Sequence, residues 1–316
     1  MGSADFGVAR DGSLVYVPGN LRGVDRRLVR VDRAGRITPL TEARRTFNTV
    51  RLSPDARRLA ITIEGPNDRA YTFDLERSTL TLQTLRFNNI EAMWTPDGSR
   101  LTVASDREGS FTSIFWQPAD GSAAAERLTE SQRHFQVPGD WTPDGESLLF
   151  TEFRPRGEVW ILPLAGDRKP RPILQGSFNQ SRPRLSPNGR WLAYVSDESG
   201  RDEVYVRPFP GLGGRTLVST DGGNVPVWAR DGRELFYLQG DRMMAATVAS
   251  DAAFTATRPR LLFQARVPYL DESAYDTTPE RDFLMVERGE SDTPPTQINV
   301  VLNWIQEVRQ RVAAHR

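Results

Sequence analysis

The side chains of this chain that could do chemistry are carboxylates, amides and guanidiniums. There is no cysteine, so thiolate nucleophiles, disulfides and thiolate metal sites are excluded. There are two histidines. His315 lies at the end of the chain and His134 sits in Gln132-Arg-His-Phe-Gln136. One internal imidazole does not make a histidine-based zinc site without several carboxylates beside it. No Gly-x-Ser-x-Gly nucleophile elbow occurs, which removes the serine hydrolase that such an elbow would announce. No residue is therefore assigned a catalytic role.

What remains is a set of polar residues spread along the chain: Glu91, Gln136, Gln180, Arg182, Asn224 and Asp276, with Asn48 as a further amide. Oxygen atoms brought together from distant segments can hold a polar organic ligand. Alternatively they can hold a hard cation such as calcium, which takes six to eight oxygen ligands. In that alternative Glu91 and Asp276 are the metal carboxylates, and Arg182 opposes the cation.

The elements that would bring these residues together follow from a repeated turn. The clear copies are Trp94-Thr-Pro-Asp-Gly98, Trp141-Thr-Pro-Asp-Gly145 and Leu185-Ser-Pro-Asn-Gly189. Weaker copies are Val8-Ala-Arg-Asp-Gly12, Leu52-Ser-Pro-Asp-Ala56, Trp228-Ala-Arg-Asp-Gly232 and Thr277-Thr-Pro-Glu-Arg281. The acidic or amide position falls at 11, 55, 97, 144, 188, 231 and 280. That period of about 40 to 50 residues is the length of a propeller blade. Proline presets the second turn position and glycine tolerates positive φ at its end. Asp97 and Asp144 therefore read as turn formers.

Short runs such as Arg190-Trp-Leu-Ala-Tyr-Val-Ser196 follow each turn and are apolar on both faces. They read as strands enclosed between neighbouring sheets. Further strands and a tight turn complete each unit, giving four strands per repeat, the make-up of a propeller blade. The expected fold is an all-β propeller with one domain over 1–316. Seven turn copies favour seven blades, with six as the alternative and the last blade, about 270–304, incomplete or closed by C-terminal strands. In that blade Ile298 to Asn303 reads as a strand. Asn303 can cap a short helix over 304–314, with Trp304, Ile305, Val308 and Val312 on one face.

Lys plus Arg, 41, equals Asp plus Glu, 41. A zero net charge argues against a general grip on nucleic acid. No stretch is apolar enough to span a membrane, and no secretion signal heads the chain. The compartment stays open; as it stands the chain reads as cytoplasmic.

The repeats resemble the WD-repeat-like propellers of TolB and of prolyl-oligopeptidase-type proteins. They are most similar to the propeller region at the C-terminal end of bacterial receptor-like serine/threonine kinases. The segments that carry this are Ser186-Pro-Asn-Gly-Arg-Trp-Leu-Ala-Tyr-Val-Ser196, Glu203-Val-Tyr-Val-Arg-Pro-Phe-Pro210, Ser219-Thr-Asp-Gly-Gly-Asn-Val-Pro-Val-Trp228 and Asn299-Val-Val-Leu-Asn-Trp304. No kinase motif is present in the chain; as a fragment of such a receptor-like kinase it would be exported. In that group the propeller is appended to a kinase and usually has no assigned ligand. Two function classes follow from the residues, and the first is a non-catalytic binding, sensor or scaffold module that recognises a polar small molecule, peptide or protein at a mouth of the central channel, without a cofactor. A second reading is a calcium-type hydrolase of small esters, lactones or phosphotriesters, because propeller hydrolases hold a channel calcium with Glu, Asn and Asp.

Overall fold

The structure is a computed structural model. It describes residues 6–9, 11–16, 26–84, 86–131, 133–211, 213–249, 253–265, 274–289, 298–302 and 304. Of the expected C-terminal helix only Trp304 lies among these residues. The described chain is all-β, and its strands fall into antiparallel sheets that repeat along the sequence.

Six sheets of four or more strands form the blades of a propeller. Their innermost strands are Phe47–Leu52, Asn89–Trp94, Phe135–Trp141, Gln180–Leu185, Asn224–Trp228 and Tyr275–Thr277. These belong to blades one to six in that order. Each packs against the next, and the sixth packs back against the first. The circuit therefore closes with six blades, not the seven that the turn count favoured. The turn copy at Asp11 explains the difference. Its flanking strands, Phe6–Val8 and Leu14–Tyr16, pair with Asn299–Val301 in a separate three-stranded sheet that supplies no innermost strand.

The sixth blade is also closed differently from expectation. Its two inner strands come from the C-terminal part, Tyr275–Thr277 and Phe283–Arg288. Its two outer strands come from the N-terminal part, Arg26–Val31 and Ile37–Pro39. Phe283 pairs with Val31 and Val286 with Leu28, so the hydrogen-bond ladder joins the two ends of the ring. Arg26, buried, donates to the Phe47 carbonyl at 3.1 Å and to Glu64 at 3.3 Å in blade one.

Burial falls from the axis outward. Trp191–Ser196, the second strand of blade four, is buried at every position, whereas its outermost strand, Thr216–Leu217, is exposed. Trp191, Tyr194 and Tyr205 are buried as expected, and Phe209 is half-buried. Apolar side chains from adjacent blades meet in seams; Trp191, Val206, Trp228, Leu235 and Ala246 form one of them.

The turns are built as their sequence implies. In blade two the Thr95 hydroxyl donates to Asp97 at 2.5 Å, the Ser99 N–H donates to Asp97 at 3.0 Å, and the Gly98 N–H donates to the Thr95 carbonyl at 2.9 Å. Gly98 has φ +68°, a left-handed conformation that glycine adopts without a Cβ clash. The Thr95 hydroxyl bond, then that of Ser99, holds the Asp97 carboxyl below the usual range. Asp144 is held down in the same way by Thr142. These acids are turn formers.

Candidate functional site

The six innermost strands place one side chain each at a common level of the channel. Counting back four residues from the acidic or amide position of each turn gives Arg51, Met93, Asp140, Arg184, Val227 and Asp276. All six line one cavity of about 360 Å³ on the turn side of the propeller. Around the ring the order is cation, apolar, anion, cation, apolar, anion. Blades one to three are thus chemically repeated by blades four to six, an approximate two-fold relationship.

Hydrogen bonds obey the same relationship. Asp140 Oδ2 accepts the Leu185 N–H at 2.8 Å, and Asp276 Oδ2 accepts the Leu52 N–H at 2.8 Å. Each carboxylate thereby pairs a backbone donor on the channel-facing edge of the next blade, where no further strand is available to accept it. The Trp94 indole N–H donates to the Arg51 carbonyl at 3.2 Å, and that of Trp228 donates to the Arg184 carbonyl at 3.1 Å.

The two guanidiniums form the floor of the cavity. Both donate to the Gly139 carbonyl, Arg51 Nη2 at 3.5 Å and Arg184 through Nη1. Gly139 allows this constriction because a Cβ there would lie 2.4 Å from Pro183 Cγ. Arg51 Nη2 also lies 3.9 Å from Glu91 Oε2, while its Nε is buried with no hydrogen-bond partner. Asp140 sits in the wall. Loss of solvent pushes its carboxyl up to about 6, a shift limited by the Leu185 N–H and the Arg51 guanidinium and reinforced by Asp276.

Turn prolines frame the mouth: Pro54, Pro96, Pro143 and Pro187. In blade five Arg230 takes the proline position. Its Nη2 donates to the Leu52 and Ser53 carbonyls at 3.2 and 3.3 Å, and its Nε to the Thr277 carbonyl at 3.4 Å. It spans the short inner strand of blade six and ties blade five to blade one.

Beyond the floor lies a second cavity of about 300 Å³, which Arg51 and Arg184 also line. Glu91, Arg182, Asp202 and Phe153 contribute to it. Arg182 donates through Nη1 to the Asn224 amide oxygen, and Asn224 Nδ2 donates to Asp202 at 3.2 Å.

The sequence model of the TolB beta propeller domain matches residues 28–228, more than half of the chain. The chain belongs to the TolB beta propeller domain family. An uncharacterised protein of Agrobacterium fabrum is 27% identical over 203 residues, covering 60% of this chain and 68% of that protein. The Tol-Pal system protein TolB of an Anaeromyxobacter species is 30% identical over 129 residues. That match covers 40% of this chain, and the chain spans only 29% of that TolB. The solved structure of a candidate TolB from Agrobacterium tumefaciens superposes with a TM-score of 0.68 at 16% identity, covering 84% of this chain and 98% of that one.

Within this TolB-type propeller the residues singled out from sequence are divided. Asp276 lines the turn-side cavity; Glu91 and Arg182 line the second, with Asn224 bonded to Arg182. Gln136 and Gln180 line neither cavity. Gln136 is buried between Thr129 and Glu152, each 2.5 Å away. Gln180 is half-buried, with its Oε1 unpartnered, as is the Asn48 Oδ1. Glu91 and Asp276, the carboxylates of the calcium alternative, line different cavities on either side of the arginine floor. Among the described residues no group of three or more Asp, Glu or His could hold a metal ion.

Arg51, Asp140 and Arg184 were not selected from sequence. They stand at one offset from the turn, whereas the selected residues stand at several. The bulges explain why a count from the strand start fails. Five innermost strands shift register upstream of this level, as between Ser181 and Arg184 and between Asn224 and Val227. Glu91, Arg182 and Val225 have φ of 51°, 54° and 50° at such places. A count back from the turn avoids every bulge.

Proposed function

We propose that this TolB-type chain is a non-catalytic binding module, acting as one propeller domain, whose polar ligand enters the turn-side cavity. The observation that carries the reading is the ring of Arg51, Asp140, Arg184 and Asp276 at one level of a cavity of about 360 Å³. Its volume falls at the small end of the range for ligand pockets, about 300–1,000 Å³. The resemblance of the repeats to propeller regions of bacterial receptor-like kinases fits a sensing role within a longer protein.

The hydrolase reading requires a divalent cation among oxygen ligands. Calcium prefers several carboxylate and carbonyl oxygens. In the turn-side cavity a cation would meet Asp140 and Asp276 together with two guanidiniums at the same level. That donor set suits an organic ligand better than calcium.

The test is a thermal-unfolding screen of sugars, organic acids, amino acids and nucleosides on the parent protein, Asp276→Asn and Arg182→Met, each shift measured against the same variant without compound. Asp276 lines only the turn-side cavity and Arg182 only the second. A compound that raises Tm of the parent and of Arg182→Met, but not of Asp276→Asn, supports the turn-side site. Stabilisation lost in Arg182→Met and kept in Asp276→Asn would move the site to the second cavity.

A further inference from the structure

The arrangement of charge in the turn-side cavity specifies more than polarity. Two guanidiniums lie on its floor, held by the Gly139 carbonyl. Two carboxylates lie in its wall on opposite blades, each fixed by two backbone N–H groups. Asp140 accepts from Trp141 at 3.0 Å as well as from Leu185; Asp276 accepts from Thr277 at 2.7 Å as well as from Leu52. Around the ring, Met93 separates Arg51 from Asp140, and Val227 separates Arg184 from Asp276.

A simple anion placed over the floor would be drawn to Arg51 and Arg184 but repelled by Asp140 and Asp276. A simple cation would face the reverse. In a cavity partly cut off from water both effects are strong, because opposite and like charges interact with less screening. A molecule that carries one anionic and one cationic group a few bonds apart meets attraction at both. Desolvation already raises the Asp140 carboxyl, so a ligand cation beside it relieves an existing cost.

Resting on the turn-side binding reading, we infer that the ligand is a zwitterion of the α-amino acid class. Its carboxylate sits on the Arg51 and Arg184 floor. Its ammonium faces Asp276 or the equivalent Asp140. Its side chain lies against Met93, Val227 and the Trp94 and Trp228 indoles, which line the same cavity. An apolar or aromatic side chain fits that wall. The approximate two-fold relationship offers the same constellation twice, so a molecule with an amino-acid group at each end would engage both halves.

Calorimetric titration of the parent chain tests this with L-phenylalanine and L-leucine. The controls are N-acetyl-L-phenylalanine, L-phenylalaninamide, 3-phenylpropionate and glucose. The inference predicts binding of at least one free amino acid. It predicts at least tenfold weaker binding of the acetylated, amidated and amine-free analogues. Arg51→Met should weaken the amino acid at least tenfold while thermal unfolding confirms the fold. If 3-phenylpropionate or glucose binds the parent as well as the amino acids do, the zwitterion inference is overturned and the cavity reading survives. If the amino acid binds equally well in parent and Arg51→Met, the placement is wrong. If none of the probes binds the parent at millimolar concentration, the zwitterion inference is overturned. A screen that is also empty removes the cavity reading with it.

Discussion

The Asp276 carboxylate accepts the Leu52 backbone N–H at 2.8 Å, and this contact joins the last blade to the first. Asp140 and Leu185 repeat it across the channel at 2.8 Å. The same carboxylates therefore hold the ring together and face its cavity.

Removing either carboxylate leaves the neighbouring blade's N–H without its acceptor. Asp276→Ala should lower stability by about 1.5–3 kcal/mol, the range for hydrogen bonds to charged groups. Asp140→Ala should cost less at neutral pH, because its charged form is held at a desolvation cost. Urea unfolding of both variants measures the order, and a larger loss for Asp140→Ala would contradict it.

The closing seam depends on two residues of blade five. Arg230 reaches carbonyls of blades six and one, and the buried Glu234 accepts Arg33 at 2.9 Å through both oxygens. Arg281 joins Glu234 at 3.2 Å. Arg33 is from the N-terminal part of blade six and Arg281 from its turn, so Glu234→Ala should loosen that blade first. A loss of about 2 kcal/mol is expected after allowing for the half-buried arginines, which stay partly screened by solvent. Hydrogen exchange should quicken in Arg26–Val31 and Phe283–Arg288 before other strands; uniform quickening would refute a local seam.

Asp140 gives a pH dependence of known sign. An ordinary aspartate titrates near 3.8 and the folded protein holds this one up to about 6. Between those values the native state binds more protons than the unfolded state at this group. Its contribution to stability therefore falls as pH rises through about 4 to 6 and is flat above. The groups facing it from the other blades are Arg51, Arg184 and Asp276. Carboxyl-carbon NMR should show a resonance titrating near 6 that is absent in Asp140→Ala. In Arg51→Met it should move higher, because the guanidinium lowers it.

The blade seams carry the apolar stability. Trp191 lies between blades four and five, with its ring 5.4 Å from that of Phe254. Trp191→Ala should cost about 3–5 kcal/mol. A loss below about 1 kcal/mol in denaturant unfolding would be the surface value.

The blade repeat was legible because each turn is a local device: Pro, Asp and Gly fix it with contacts inside five or six residues. Ring closure was not, because the pairing of Phe283 with Val31 joins segments far apart and leaves no local mark. The turn copy at Asp11 looks like the others but its strands pair with Asn299–Val301 instead. The site was half legible. Asp276 was found because it lies in a described inner strand, Tyr275–Thr277, that pairs without a register shift, whereas upstream bulges displaced the other choices from the level of Arg51, Asp140 and Arg184.

The central claim is that ligand binds on the turn side, over the arginine floor. The most direct measurement is a crystal structure of the protein with the tightest-binding compound from the screen. Ligand density is expected within hydrogen-bond distance of Arg51 and of Asp276 or Asp140, below the ring of turn prolines. Density only in the cavity of Glu91 and Arg182, or only on the outer faces of the blades, would contradict it.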